Sequence, residues 1–276
     1  MSAHKSLPHD AAPLHVKGQA RYIDDMPTPA NTLHLAFGTS EVAAGKIIAM
    51  NLDKVRAAAG VIAVFTADDL PFANDVSPSA HDEPLLAKGT VHYLGQPIFM
   101  VAATSHLAAR KAARLGQIEM AAETPILTIE DALAANSRFE DGPRIWTKGD
   151  VDTALASAQH RLQGEIDMGG QEHFYLEGQP SMALPLEAGG IHIHSSNQHP
   201  TEVQHLVAHM LKLSSNNVIS ECRRMGGAFG GKESQGNALA VACALAASFT
   251  GRPCKMRYDR DDDFIITGKR HDCRIE

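Results

Sequence analysis

The spacing of apolar and polar residues changes period several times along the chain, and each change marks an element. Leu33 to Thr39 and Ile47 to Leu52 are apolar runs of strand length. Asp53 caps a short helix over Lys54 to Ala59, which Gly60 closes. Val61 to Phe65 is rich in β-branched residues and predicts a buried strand. Thr66-Ala67-Asp68-Asp69 then carries the capping-box pattern of a helical turn. Beyond a polar loop, Asn74 to Glu83, strands are expected over Val91 to Leu94 and Pro97 to Ala103. Ser105 caps a helix from His106 to Leu115, with Leu107, Ala108, Ala112 and Leu115 on one face. A strand over Gln117 to Ala121 follows.

This alternation predicts a mixed α/β unit over residues 16–123, preceded by a flexible arm at 1–15. Residues 124–148 form the expected linker; they hold Pro125, a short helix (Ile129 to Ala135), Gly142-Pro143 and the only tryptophan, Trp146. A second unit spans 149–276. Its predicted elements are a helix over Val151 to Ala158, a strand over Arg161 to Asp167, and a strand running to Leu184. A turn at Glu187 to Gly190 leads into a strand pairing back from Ile191 to Ser195. Pro200 and Thr201 open a helix whose apolar face is Val203, Leu206, Val207, Met210 and Leu211, with Gln204 completing its capping box. Cys273 to Glu276 has the look of a strand cut in mid-course, so a longer parent protein is expected.

The densest chemical signal is Arg223-Arg224-Met225-Gly226-Gly227-Ala228-Phe229-Gly230-Gly231-Lys232-Glu233-Ser234. A strand-like lead (Val218 to Arg224) runs in, and an alanine-rich helix (Gln235 to Ser248) runs out. Glycine allows unusual dihedrals and close ligand approach, and free N–H groups at a helix start suit an anion. Two phosphate motifs fail here. Gly226 to Lys232 fits the first seven places of G-x-x-x-x-G-K-[S/T], but Glu233 stands where the hydroxyl belongs and would repel a triphosphate. The G-x-G-x-x-G pattern is broken by Ala228 and Phe229. The loop therefore suits a bulky anion with a carboxylate beside it.

Composition narrows the field. Over 276 residues, hydrophobic content of 44% and charged content of 21% are ordinary for a globular chain. The net charge of −7 argues against a nucleic-acid or anionic-membrane partner. No apolar run approaches the roughly 20 residues of a membrane span, and Met1 to Asp10 lacks a signal-peptide core, so the cytoplasm is expected. The four cysteines form no C-x-x-C pair, which argues against a zinc or iron–sulfur site in this chain. Of the fifteen histidines, His205 and His209 lie at i and i+4, and His192 and His194 share a strand face. With no third ligand visible, surface or packing roles are expected for them. Asp259 to Asp263 reads as a salt-bridged turn rather than a divalent-ion site. No G-x-S-x-G elbow supports a hydrolase.

Three stretches together resemble a known family: Gly170 to Glu177 (GQEHFYLE), Arg224 to Glu233 (RMGGAFGGKE), and Asp259-Arg260 with Ile265 to His271. In order and spacing they are similar to the xanthine dehydrogenase and aldehyde oxidase family, and Gly18 to Asp25 with Tyr93 to Pro97 extends the likeness upstream. The resemblance implies an α+β fold: a hammerhead-like α/β domain, then the first part of a molybdopterin-binding α+β domain. It implies that Gly227, Ala228, Phe229 and Gly230 line a molybdopterin cofactor. Gln171 would hydrogen-bond an oxygen on the molybdenum, and Gln171 and Phe229 would contact the metal's ligands. Glu233 would be the catalytic carboxylate, orienting a purine. Ala228 departs from the family's usual glycine, and Lys232 is expected as a structural or surface charge.

The implied reaction is hydroxylation of a purine such as hypoxanthine or xanthine, with water as oxygen source. Electrons would pass to 2Fe-2S and FAD centres on a partner subunit and on to NAD, in a hetero-oligomer. The isolated chain, lacking downstream motifs, is expected to be inactive. The alternatives are a catalytically silent structural or assembly homologue, an aldehyde oxidase-type hydroxylase, and, weakly, a nucleotide binder.

Overall fold

The computed structural model describes residues 4–139 and 142–276. In chain order the elements are α1 (Ala12–Val16), β1 (Leu33–Thr39), β2 (Gly45–Asn51), α2 (Asp53–Arg56), β3 (Val61–Thr66), β4 (Thr90–Val91), β5 (Pro97–Ala103), α3 (His106–Ala113), β6 (Gln117–Ala122), α4 (Ile129–Ala134) and α5 (Val151–Ser157). There follow β7 (Ile166–Met168), β8 (Pro180–Pro185), β9 (Ile191–Ser195), α6 (Pro200–Leu211), β10 (Val218–Glu221), α7 (Gly236–Thr250), β11 (Cys254–Arg257), α8 (Arg260–Ile266) and β12 (Cys273–Ile275).

Local chemistry explains the boundaries. The Ser105 hydroxyl accepts from the Ala108 amide at 3.2 Å and starts α3. Asp69 closes a 3-10 turn by accepting from the Thr66 amide at 2.7 Å. Helix α7 is buried from Gly236 to Ala247 except at Ala238. Its alanines let it lie close against the sheet, and Gly251, at φ +64°, ends it in the left-handed conformation.

One seven-stranded sheet, in the order β10-β9-β8-β11-β1-β5-β3, joins the two halves of the chain. Strand β1 runs parallel to β11, with Leu33 opposite Cys254 and Leu35 opposite Met256, and antiparallel to β5. The segments expected as separate units, 16–123 and 149–276, thus share this sheet, and one core cluster contains Leu33, Phe65 and Met100 together with Ile191, Val207 and Leu245. A second cluster, around Val55, Phe99, Val101 and Ala112, lies beneath α2 and α3. Strands β4, β2 and β6 form a smaller sheet, and β7 pairs with β12.

Several expectations need correction. Within the arm, residues 1–3 lie outside the described residues, and Ala12 to Val16 form a short helix with no buried side chain. The strand expected over Arg161 to Asp167 narrows to Ile166–Met168, since only that stretch finds a partner, in β12. Gln204 makes no cap; its amide donates to the carbonyls of Ser215 and Val218 instead. The lead into the glycine loop is strand only to Glu221. Within the linker, residues 140 and 141 lie outside the described residues. No helix among the described residues is long and apolar enough to cross a membrane.

Candidate functional site

Three segments far apart in sequence pack together: 170–177, 224–235 and 259–271. Gln171 and Arg270 exchange both backbone hydrogen bonds at 3.0 Å. The Arg260 guanidinium donates to the carbonyls of Tyr175 and Leu176 at 2.9 and 2.8 Å. The Glu177 amide donates to the Gly226 carbonyl at 3.0 Å, and the Gly226 amide returns a bond to the Glu177 carboxylate at 2.8 Å. The glycine loop thus sits on the 170–177 segment, closely enough that side chains are excluded. A methyl group on Gly231 would lie 2.7 Å from the rings of both His173 and Tyr175.

Beneath the loop is a buried polar cluster. The Lys232 ammonium, fully buried, donates to Glu177 at 3.1 Å and to the Ser196 hydroxyl at 2.8 Å. It also lies 4.8 Å from the centre of the Tyr175 ring. Lys232 is therefore a structural charge and not a surface one, because its partner Glu177 lies inside the fold. Burial pushes its ammonium below the usual lysine range, against the opposing charge of Glu177. The Tyr175 hydroxyl donates to Asp263 at 2.8 Å, and the Gln179 amide bridges that hydroxyl to the Gly231 carbonyl. Burial raises the Asp263 carboxyl above the usual range, although Tyr175 and Arg260 act against the rise.

The loop's own donors divide in two. The amides of Gly226, Gly230, Gly231 and Lys232 all have protein acceptors; those of Gly230 and Lys232 share the Gln198 side chain. Among the described residues, the amides of Gly227, Ala228 and Phe229 have none. Gly227 and Gly230 have φ of +98° and +91°, and Phe229, 76% exposed, is itself held at φ +56°. Ala228 keeps an ordinary negative φ, so its methyl costs nothing in backbone strain. Three consecutive free donors on a strained glycine turn fit an anionic group carrying several acceptors.

The predicted site residues differ in exposure: Ala228 is buried, whereas Phe229 and Gly230 are exposed. Glu233 is exposed at the end of the loop, ahead of the helix start. Gln171 is exposed, and its side chain makes no hydrogen bond among the described residues. His173, two residues on, packs under the loop at Gly231. A cleft of about 1070 Å³ is lined by Gly170, Ser234, Gln235, Tyr93 and Thr267, the immediate neighbours of Gln171 and Glu233 among them. Sequence reasoning missed Glu177, Ser196 and Gln198 as supports of the loop. Glu177 closes the GQEHFYLE stretch and could have been found there, whereas Gln198 has no signal of its own. The Asp259 run is salt-bridged, but as the N-terminus of α8 and not as the expected turn: Asp259 meets Arg110, His106 and Arg257, and Asp262 meets Arg110.

Glu172 gives the junction a pH dependence. Burial pushes its carboxyl up, but the bond and charge of Lys269, at 2.5 Å, with the amides of Phe174 and His173, outweigh that and hold it below its ordinary value. A carboxylate lowered by folding stabilises above the unfolded value of 4.5, and the stabilisation fades as pH falls through the lower folded value. Hydrogen-exchange protection of the Gln171 and Arg270 amides is therefore expected to hold above about pH 4.5 and to drop as the pH falls below it. Constant protection across that fall contradicts the assignment.

The loop thus presents three unpaired main-chain donors beside the packed 170–177 segment. Residues 17–124 match the family model described as the aldehyde oxidase and xanthine dehydrogenase a/b hammerhead domain, and residues 134–276 match that of the molybdopterin cofactor-binding domain. The chain belongs to the aldehyde oxidase and xanthine dehydrogenase family. It is 42% identical over 265 residues to the xanthine dehydrogenase of Drosophila subobscura, covering 95% of this chain and 20% of that protein. It is 38% identical to the xanthine dehydrogenase/oxidase of Felis catus, covering 97% of this chain and 20% of that protein. Its fold is similar to that of the aldehyde oxidoreductase of Desulfovibrio gigas, with a TM-score of 0.83 and 27% identity, over 95% of this chain and 31% of that one. The chain thus spans about a fifth of the length of the curated relatives it matches.

Proposed function

We propose that this chain forms one wall of the molybdopterin site of a purine-oxidising hydroxylase of the xanthine dehydrogenase type. The observation that carries the proposal is the run of free amides at Gly227, Ala228 and Phe229. In this reading Gly227, Ala228, Phe229 and Gly230 hold the cofactor through the main chain, and Gln171 and Phe229 face the ligands of its molybdenum. An amide suits Gln171, since it donates a hydrogen bond without adding charge. When bound, molybdopterin supplies the hydroxylation of an electron-poor carbon, with water as oxygen source. Glu233, exposed beside the loop, accepts a hydrogen bond from the purine and fixes its orientation. The cluster of Lys232, Glu177 and Ser196 keeps the loop in place beneath it.

Because the chain spans about a fifth of its relatives, turnover is assigned to the longer protein, with the isolated chain inactive. The organisation is a hammerhead-like unit at 16–123, a linker at 124–148 and part of the cofactor-binding unit at 149–276. The 2Fe-2S and FAD centres sit on a partner subunit in a cytoplasmic hetero-oligomer, with NAD as acceptor.

The test is turnover of hypoxanthine and a panel of aldehydes by the full-length protein. Hypoxanthine oxidation is expected, and E233A is expected to lower kcat/KM by about ten- to a hundredfold, the loss of one hydrogen bond to a charged acceptor of about 1.5–3 kcal/mol. Preference for aldehydes, with E233A neutral, would instead identify an aldehyde oxidase-type enzyme. A full-length protein that binds no molybdenum would be the catalytically silent homologue.

A further inference from the structure

The face of the main sheet opposite α6 and α7 carries a second cluster of ligating side chains, at the β9–β10 edge. Strand alternation sends Ile191 and Ile193 into the core with α6 and α7, which leaves His192 and His194 together on the opposite face. The parallel register of β10 sets Glu221 directly beside His194, and Ile219 beside His192. The Glu221 carboxylate therefore reaches both rings: it lies 3.2 Å from His192 Nε2 and 3.7 Å from His194 Nδ1. The ring centroids are 4.2 Å apart, and one ligand atom from each of the three residues falls within 4.8 Å of the others. Sequence reasoning lacked the third ligand because it sits 27 residues beyond His194, on another strand.

We propose that His192, His194 and Glu221 bind a divalent transition-metal ion of the zinc class. Around a tetrahedral zinc with bonds of about 2.0–2.1 Å, neighbouring ligand atoms stand about 3.4 Å apart. The two measured carboxylate–imidazole distances already bracket that separation. An ordinary surface ion pair explains one histidine against the glutamate. It does not explain two imidazoles in contact with each other and sharing one carboxylate oxygen. Two imidazoles and a carboxylate suit zinc, cobalt, nickel and copper, and leave positions for water. The side chains of His192 and Glu221 are 23% and 40% exposed, so an ion has access, while the paired strands limit backbone movement.

The test uses the full 276-residue chain, stripped with a chelator and titrated with Zn²⁺ by calorimetry and with Co²⁺ by visible absorption. One equivalent is expected to bind, with the intense visible bands of low-coordinate cobalt. H192A and E221Q, each with an unchanged far-ultraviolet spectrum, are each expected to weaken binding at least tenfold. The double variant H205A/H209A, which removes the exposed i, i+4 pair of α6, is expected to leave it unchanged. Retained affinity in H192A and E221Q, loss of binding in H205A/H209A, or no binding at millimolar metal overturns the site.

Discussion

Replacing Glu177 by glutamine destabilises the fold by about 3–5 kcal/mol, the usual cost of leaving one charge of a buried pair without its partner. One oxygen of Glu177 accepts from the Gly226 amide at 2.8 Å, the Ser196 hydroxyl at 2.7 Å and the Lys232 ammonium at 3.1 Å. A glutamine can still accept the first two bonds. It cannot neutralise an ammonium whose side chain is fully buried and whose remaining partners are one hydroxyl and the face of Tyr175. The double variant E177Q/K232M separates charge from shape. With both ions gone, no uncompensated charge remains, and more than half of the lost stability is expected to return. Urea unfolding followed by circular dichroism makes the measurement. Trp146, 90% exposed in the described linker, is a poor fluorescence probe for this event. An E177Q chain with an unshifted midpoint, or a double variant no better than the single one, contradicts the account.

Lys232 also shows where sequence reasoning stopped. A lysine between two glycines and a glutamate has every local mark of a solvent charge. Its burial depends on Glu177, 55 residues earlier, and on Ser196, and neither contact leaves a periodic trace. The shared sheet was hidden for the same reason. Strand β1 is legible as an apolar run, but β11, Cys-Lys-Met-Arg, is not, and the pairing of Leu33 with Cys254 is written in neither. What was legible was local: the Ser105 cap, the Thr66–Asp69 turn, the hairpin joining β8 to β9, and the alanine-rich helix after the glycine loop. The three motif stretches do converge in space, through Glu177–Gly226, Arg260–Tyr175 and Gln171–Arg270. Only the family resemblance anticipated that convergence. Spacing alone carries no information on which distant loops meet.

Valine at position 227 is expected to remove the cofactor from the full-length protein while leaving most of its fold. The backbone there has φ of +98°, a region closed to β-branched residues, and even a methyl group would lie 3.0 Å from the Phe229 ring and 3.1 Å from Tyr175 Cβ. The loop must therefore turn another way, and the three free amides at 227–229 lose their common direction. A hydrogen bond to a charged acceptor contributes about 1.5–3 kcal/mol, so misdirecting two of them costs about 3–6 kcal/mol, a factor of about 10² to 10⁴ in affinity. The damage stays local because the support beneath, Lys232 with Glu177 and Ser196, involves neither Gly227 nor Phe229. Elemental analysis after dialysis should find molybdenum below a tenth of the unmodified level in G227V, with a thermal midpoint within a few degrees. Ala228→Gly provides the contrast. That position keeps a negative φ, so glycine changes neither the direction of the amides nor the steric fit, and molybdenum content should hold. If G227V keeps its metal, the free amides do not bind the cofactor and the glycine loop serves packing alone.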